Sequence, residues 1–414
     1  MAKKGEYKTK IVLAETDVID TALITHYAIT KESVYKKPAI AEVKEVLAKK
    51  YSDENITSQV AENAIEQYLF SFDDIPFVGP NGSATFTFID LFAGIGGFRI
   101  AMQNLGGKCV FSSEWDKEAQ KTYLANFGEK PFGDITKEET KKLIPEKFDV
   151  LCAGFPCQAF SIAGKRGGFN DTRGTLFFDV ATIIKKHKPK AIFLENVKGL
   201  VSHDKGRTLS TILNTLREDL GYYVPEPKVM NAKYFDVPQN RERIFIVGFR
   251  KDLKIVDFEY PKSDKVTKKV KDIIEKKTVE SKYYLSTQYL STLIAHKARH
   301  EGKGNGFGYE ILKDDGVANA IVVGGMGRER NLVIDKRLKD FTPTTKIKGE
   351  VNREGIRRLT PRECARLQGF PDEFKIVQVA NASAYKQFGN SVAIPAIQAT
   401  GKKVIDKIKK HLKH

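Results

Sequence analysis

The spacing of hydrophobic positions changes along the chain. Up to about residue 80 they recur at helical intervals: AIAEVKEVLAKKY sets Ile40, Val43, Val46 and Leu47 on one helical face, and NITSQVAENAIEQYLF does the same with Ile56, Val60, Ile65 and Leu69. The cluster PNGS at 80–83 breaks the pattern. From Phe86 onward, short apolar runs (TFTFIDLFAG, KCVFSSEW, FDVLCAGFP, AIFLENV, RIFIVGF) alternate with helical patterns. That alternation predicts an α/β fold built on a mostly parallel, doubly wound sheet, with the site at the carboxyl ends of its strands. Between about 262 and 360 the chain turns Lys-, Gly- and turn-rich (KGNGFGYE, GGMGRERN, TPTTKIKGE), which predicts a smaller, looser domain. The ending TGKKVIDKIKKHLKH reads as a basic helix with a solvated face.

With 414 residues, 41% of them hydrophobic, the chain has material for a sizeable core and two or three domains. Lys and Arg number 69 against 52 Asp and Glu, a net charge of +17. Such an excess favours a polyanionic partner, though a plainly basic surface would give the same count. The four cysteines (Cys109, Cys152, Cys157 and Cys364) form no CxxC pair and have no histidine at zinc-ligand spacing nearby, so neither a disulfide framework nor a metal site is expected. A reducing, cytoplasmic setting fits this cysteine usage. The start, MAKKGEYKTK, is polar, and no apolar stretch approaches the length of a membrane span.

Chemistry-bearing residues fall at the predicted strand ends. DLFAGIGGF carries Asp90, Gly94, Gly96 and Gly97; SSEW carries Glu114 and Trp115; the later strands end at Cys157 and Glu195. The glycines permit a tight turn and a close ligand, and Glu114, 20 positions after Gly94, is placed to accept hydrogen bonds from a ribose. A dinucleotide fingerprint would need glycine where Arg99 stands, so a nucleoside without phosphates fits better; glycines alone would also serve a plain strand-to-helix turn. Cys157, in GFPCQAFS, is either a packing residue or a nucleophile held on a loop. Glu195, in ENV, is either an exposed strand-end acid or a proton donor to a bound heterocycle. Arg241 and Arg243 alternate in QNRERIFIVGF and so share a face, for surface ion pairing or for holding a carbonyl or phosphate oxygen.

Taken together, DLFAGIGGF, SSEWD, GDIT, AGFPCQAFSIAGKRGGF, TRGTLFFD, FLENV, QNRERIFIVGF, LTPRECARLQGFPD and AYKQFGNSVAIP resemble, in order over about 85–400, the DNA cytosine-5-methyltransferases of bacterial restriction-modification systems. The resemblance implies an S-adenosylmethionine-dependent, Rossmann-like methyltransferase domain at 84–261 completed by 382–414, and a target-recognition domain and hinge at 262–381. Residues 1–83 form a helical N-terminal extension outside it, of DNA-contacting, oligomerising or packing character. By the same resemblance Cys157 is the nucleophile, Glu195 the acid and Arg243 the contact to cytosine O2, with Arg241 supporting the loop. Phe92, Gly94, Gly96, Gly97, Glu114, Trp115, Asp134, Ile135, Pro156, Asn390 and Ser391 match positions lining the S-adenosylmethionine site. The implied partners are double-stranded DNA and, functionally, a cognate restriction endonuclease; the enzyme is expected to be monomeric.

Attack on C6 of a stacked base is blocked, so the resemblance also implies base flipping, with Gly164, Gly167 and Gly168 as hinges of the cysteine loop. Ala163 stands where a family member has serine beside the vacated base. For base reading, Arg328 and Arg330 are candidates for guanine, with phosphate contact the commoner role for any one arginine. The stretches GFGYEI and VANAIVVGGMGRERNLVID look most like the recognition domains of enzymes that modify the inner cytosine of CCGG, with GCGC second. Two further readings are an RNA cytosine-5-methyltransferase, whose Thr-Cys-Pro or Cys-Phe-Thr settings are absent here, and a catalytically silent DNA-binding protein, against which the intact Cys157, Glu195 and Arg243 argue.

Overall fold

The computed structural model describes residues 11–412 apart from 15–16, 53–54, 71–73, 81–82, 157–175, 305–307, 324–326, 343–348 and 378–379. Cys157, Ala163, Gly164, Gly167 and Gly168 therefore lie outside the described residues, as does the side chain of Arg328.

The chain opens with α1 (Thr21–Thr30), α2 (Ser33–Tyr51) and α3 (Ser58–Phe70). The chain then runs β1 (Phe86–Leu91), α4 (Gly97–Gln103), β2 (Gly107–Ser113), α5 (Lys117–Phe127), α6 (Glu138–Lys142), β3 (Val150–Gly154), α7 (Leu176–His187), β4 (Ala191–Val197) and α8 (Arg207–Asn214). After these come β5 (Tyr222–Tyr223), β6 (Lys228–Asn231), β7 (Gln239–Asn240) and β8 (Glu242–Arg250). One seven-stranded sheet has the order β2-β1-β3-β4-β8-β5, with β6 also on β8. The pairs among β1 to β4 are parallel, whereas β8 runs antiparallel to β4, and β5 and β6 antiparallel to β8. The last apolar run, RIFIVGF, thus enters as a returning strand rather than as another βα repeat. β1 lies between β2 and β3, which makes its carboxyl end the switch point where an open α/β sheet binds ligand.

Period-two alternation fills both faces of the sheet. Phe88, Cys152, Phe193 and Val247 belong to one core, and Ile89, Leu151, Ile192 and Ile246 to the other. The first core is closed by α4 and by a C-terminal helix, α12, described below; the second is closed by α7 and by the N-terminal helices. Those helices are therefore part of the sheet's own packing. α1 has no counterpart among the hydrophobic patterns of the sequence: eight of its ten residues are buried, so no polar face marks its period. In α2 the buried stripe is Tyr35, Ala39, Val43 and Leu47, four residues apart, which leaves Ile40 and Val46 half-buried at its margins.

The remaining segment carries α9 (Thr287–Glu301), β9 (Ala318–Asn319), β10 (Leu332–Ile334), β11 (Ile356–Arg358) and α10 (Pro361–Leu367). Here apolar clusters are small, five and three buried residues. Buried charge supplements them, with Arg357 donating to Asp335 at 3.0 Å and to both carboxylate oxygens of Glu363 at 2.8 Å. Finally α11 (Asn381–Asn390) and α12 (Ile394–Ile408) return to the sheet. α12 packs on α4, and Gln387 of α11 donates to Glu118 O on α5.

Candidate active site

At the carboxyl end of β1 the backbone turns through two positive-φ residues, Phe92 (φ 56°) and Gly94 (φ 56°), and then Gly96 (φ 88°). Gly96 permits no side chain: a Cβ there would lie 2.2 Å from the Phe127 ring. Gly97 opens α4 against Val392 and Ser391. Arg99, at the place of a third fingerprint glycine, is buried and donates to Glu129 Oε1 at 2.7 Å and to the Tyr123 hydroxyl at 3.0 Å. The loop is therefore locked from beneath by an ion pair. Asp90 is fully buried beside Arg99, its carboxyl pushed up to about 8 by burial, and so belongs to the interior rather than to the cleft.

Glu114 follows β2. Its carboxylate accepts the N–H of Gly94 and of Asp116, each at 2.8 Å, which ties the end of β2 to the glycine turn. Burial raises its pKa against the pull of these hydrogen bonds. Two of the roughly four lone-pair sites are used, leaving acceptor capacity for ribose hydroxyls. Trp115 beside it is 74% exposed, an unusual state for an indole and suited to covering a planar ring. Asp134 and buried Ile135 follow Phe132, which bridges to Ser113 along the outer side of β2. This set, a carboxylate acceptor, an open aromatic face and a turn without room for a side chain, fits the nucleoside part of S-adenosylmethionine.

Next to it, Gly154 at the end of β3 pairs in register with Glu195 of β4, and Glu195 Oε2 would lie 3.6 Å from a Cβ on Gly154. The chain continues through Phe155 and exposed Pro156 towards Cys157. Asn196 holds this exit, its Nδ2 donating to Phe155 O at 2.8 Å. Glu195 is buried, with Arg243 Nε 3.1 Å from its Oε1. Burial raises the pKa of Glu195, and the charges of Arg243 and Arg241 oppose the rise. Arg241, Arg243 and Glu195 line one small cavity with Met230, Phe245 and Val392, so the alternate arginines do share a face. They differ in partners: Arg241 Nη2 donates to the carbonyls of Gly389 and Ser391, at 3.1 and 2.5 Å, bracing the Asn390–Ser391 turn from inside.

The described catalytic and cofactor candidates thus sit along the carboxyl edge of β1 to β4, at the start of the adjoining β8 and at the turn between α11 and α12, whereas Arg330, the described base-reading candidate, lies apart at the end of the turn Gly327–Arg330. Three contributors escaped the sequence reading. Asn196 had a signal, a polar residue in an apolar strand; Glu129 and His26, which meet behind β2, had none in the local pattern. Cys109, Cys152 and Cys364 are buried packing residues. Among the described residues no cluster of His, Cys, Asp and Glu is fit to hold a metal ion, and no helix is long and apolar enough to cross a membrane.

Comparison with known proteins agrees with this geometry. The Type II methyltransferase M.HpaII of Haemophilus parainfluenzae is 75% identical over 334 residues, 80% of this chain and 93% of that protein. M.HhaI of Haemophilus parahaemolyticus is 44% identical, covering 75% and 91%. M.MspI of a Moraxella species is 38% identical over 376 residues, covering 90% and 83%. Among solved structures, the S. pombe Dnmt2 methyltransferase shares the fold with a TM-score of 0.57 at 17% identity, over 78% of this chain and 99% of that one. A family model described as C-5 cytosine-specific DNA methylase matches residues 86–406, and this chain belongs to that family as a DNA (cytosine-5-)-methyltransferase.

Proposed function

We propose that the enzyme methylates the inner cytosine of CCGG in duplex DNA, using S-adenosylmethionine, and so protects DNA from a cognate restriction endonuclease. The observation that carries the catalytic part is the pairing of buried Glu195 with half-buried Arg243 at the strand end beside the Pro156 exit. Cytosine C5 is a weak nucleophile. In the proposed reaction the Cys157 thiolate adds to C6 while Glu195 donates a proton or hydrogen bond to N3, and Arg243 holds O2, giving an enamine whose C5 is nucleophilic. Bound S-adenosylmethionine supplies an electrophilic methyl group. Glu114, Trp115, the Phe92–Gly97 turn, Asp134, Ile135, Pro156, Asn390 and Ser391 are the residues proposed to hold it. With that methyl group on C5 and S-adenosylhomocysteine as the leaving group, loss of the C5 proton to a solvent base, expulsion of the Cys157 thiolate from C6 and return of the N3 proton to Glu195 would yield 5-methylcytosine.

The choice of CCGG rests on the resemblance of GFGYEI and VANAIVVGGMGRERNLVID to recognition domains of CCGG-modifying enzymes. Bisulfite sequencing of a plasmid carrying CCGG and GCGC, after treatment with enzyme and S-adenosylmethionine, tests it. Conversion-resistant inner cytosines at CCGG are expected; methylation of GCGC with CCGG untouched refutes the assignment. Tritiated methyl transfer to duplex DNA but not to RNA separates the DNA and RNA readings.

A further inference from the structure

We propose that the N-terminal helices complete the nucleoside pocket of this chain from behind, with His26 as a positioning residue for Glu114 and for the Asp134–Ile135 turn. The inference rests on the reading of Glu114 as the ribose acceptor. β2 is the outer strand of the sheet, and an outer strand presents unpaired N–H and C=O groups. Here two of them are taken up by side chains of helices that lie outside the family match at 86–406. The Tyr35 hydroxyl donates to Val110 O at 2.9 Å, and Ser112 N–H donates to His26 Nε2 at 3.2 Å. His26 Nδ1 lies 2.8 Å from Ala22 O, which assigns the ring proton to Nδ1 and leaves Nε2 as the acceptor.

The other backbone group of Ser112 leads straight to the cofactor residues. Ser112 O accepts Phe132 N–H at 2.9 Å, and Phe132 O accepts Glu114 N–H at 2.8 Å. The His26 ring stacks on Phe132 with centroids 4.1 Å apart and planes 28° from parallel. His26 therefore touches Phe132, whose carbonyl holds the Glu114 N–H, by stacking, and Ser112, whose carbonyl holds Phe132, by a hydrogen bond; Phe132 stands two residues before Asp134. Behind the ring, Glu129 Oε1 lies 3.3 Å from Nε2 and accepts from Ser112 Oγ and Arg99, each at 2.7 Å, and Arg99 carries the glycine turn of α4. A further tie lies alongside: Lys130 N–H donates to Thr25 Oγ1 at 3.0 Å. Helices that only packed against the sheet would affect its stability and leave cofactor affinity alone. Helices that hold the pocket wall must affect both, and by linkage the cofactor must in turn stabilise them.

Trp115 is the chain's single tryptophan and stands beside Glu114, so its fluorescence reports the pocket directly. In the full-length protein, S-adenosylmethionine is titrated against Trp115 fluorescence and by calorimetry. Failure of the wild type to respond would overturn the Glu114 reading itself. Given a wild-type response, His26→Ala is expected to weaken cofactor binding about three- to tenfold, the range of one lost net hydrogen bond. His26→Gln, which keeps an acceptor, is expected to recover part of that loss, with kcat at saturating cofactor and cofactor-free DNA affinity unchanged. Folded His26→Ala that binds cofactor as the wild type does overturns the proposal. Should His26→Ala not fold, hydrogen–deuterium exchange on the wild type decides: cofactor is expected to slow exchange of residues 21–35, and unchanged exchange there overturns the proposal.

Discussion

Arg243 Nε lies 3.1 Å from Glu195 Oε1, on antiparallel strands where Arg243 is the register partner of Val197. The pair sets two opposing influences on one carboxyl group. Burial favours its neutral, proton-donating form, and the guanidinium favours its carboxylate. An acid that donates to a weakly basic ring nitrogen near neutral pH benefits from such a balance, because it must hold a proton before reaction and release it during reaction.

Glu195→Gln is accordingly expected to lower kcat by about 10²–10⁴, the usual contribution of general acid catalysis, while DNA affinity changes little. Methyl transfer from labelled S-adenosylmethionine to a CCGG duplex measures it, and retention of near wild-type kcat would remove Glu195 from the mechanism. Arg243→Ala removes the opposing charge, so the pKa of Glu195 should rise further. The alkaline fall of residual kcat/KM then moves to higher pH, whereas an unmoved limb would assign that titration to another group.

Cys157→Ser should abolish turnover with DNA binding retained, since a hydroxyl at neutral pH is a far weaker nucleophile than a thiolate. Gel-shift and methyl-transfer assays on one preparation check both halves. Substantial turnover by the serine variant would exclude addition of residue 157 to C6.

Glu114→Ala should act on cofactor binding. It removes acceptors for charge-assisted hydrogen bonds and frees Gly94 N–H and Asp116 N–H, so an increase of roughly 10–100-fold in the S-adenosylmethionine Kd is expected. Calorimetry is the check, and unchanged binding would show that the ribose lies elsewhere.

How far these residues could be read from sequence follows from where their partners lie. The strands were legible as short apolar runs because β1, β3 and β4 are buried on both faces, and the candidate site was legible because the residues proposed for it fall at strand ends. The antiparallel return of β8 was not, since RIFIVGF has the same apolar run in either direction. Arg99 was noticed only as a missing glycine. Its pairing with Glu129, thirty positions on, and the approach of His26 to Ser112 across 86 positions depend on tertiary packing that no local period encodes.

Gly96→Ala tests the turn itself. A residue at φ 88° with its Cβ 2.2 Å from the Phe127 ring meets both backbone strain and overpacking, so a loss of about 2–5 kcal/mol in stability is expected. Because the turn carries Gly94 N–H to Glu114, cofactor binding should weaken too. Urea denaturation with and without S-adenosylmethionine separates the two effects, and a stability loss below about 0.5 kcal/mol would mean that Phe127 moves aside at little cost.

His26 makes stability depend on pH in a direction that can be stated. Burial depresses its pKa below the ordinary value of about 6.5, with the Glu129 carboxylate and Asp20 opposing and Arg99 adding to the fall. The unfolded chain therefore takes up a proton near pH 6.5 that the folded chain accepts only at lower pH. The stabilisation from neutral His26 is complete above about 6.5 and is lost as pH falls from there towards the folded-state pKa, at about 1.4 kcal/mol per unit of depression. His26→Gln removes this titration. The gap in urea-unfolding free energy between wild type and His26→Gln should be largest at pH 8 and shrink at pH 5.5. A gap that stays constant between those values would show that the His26 ring titrates alike in the folded and unfolded chains, and that its place behind Ser112 is open to water.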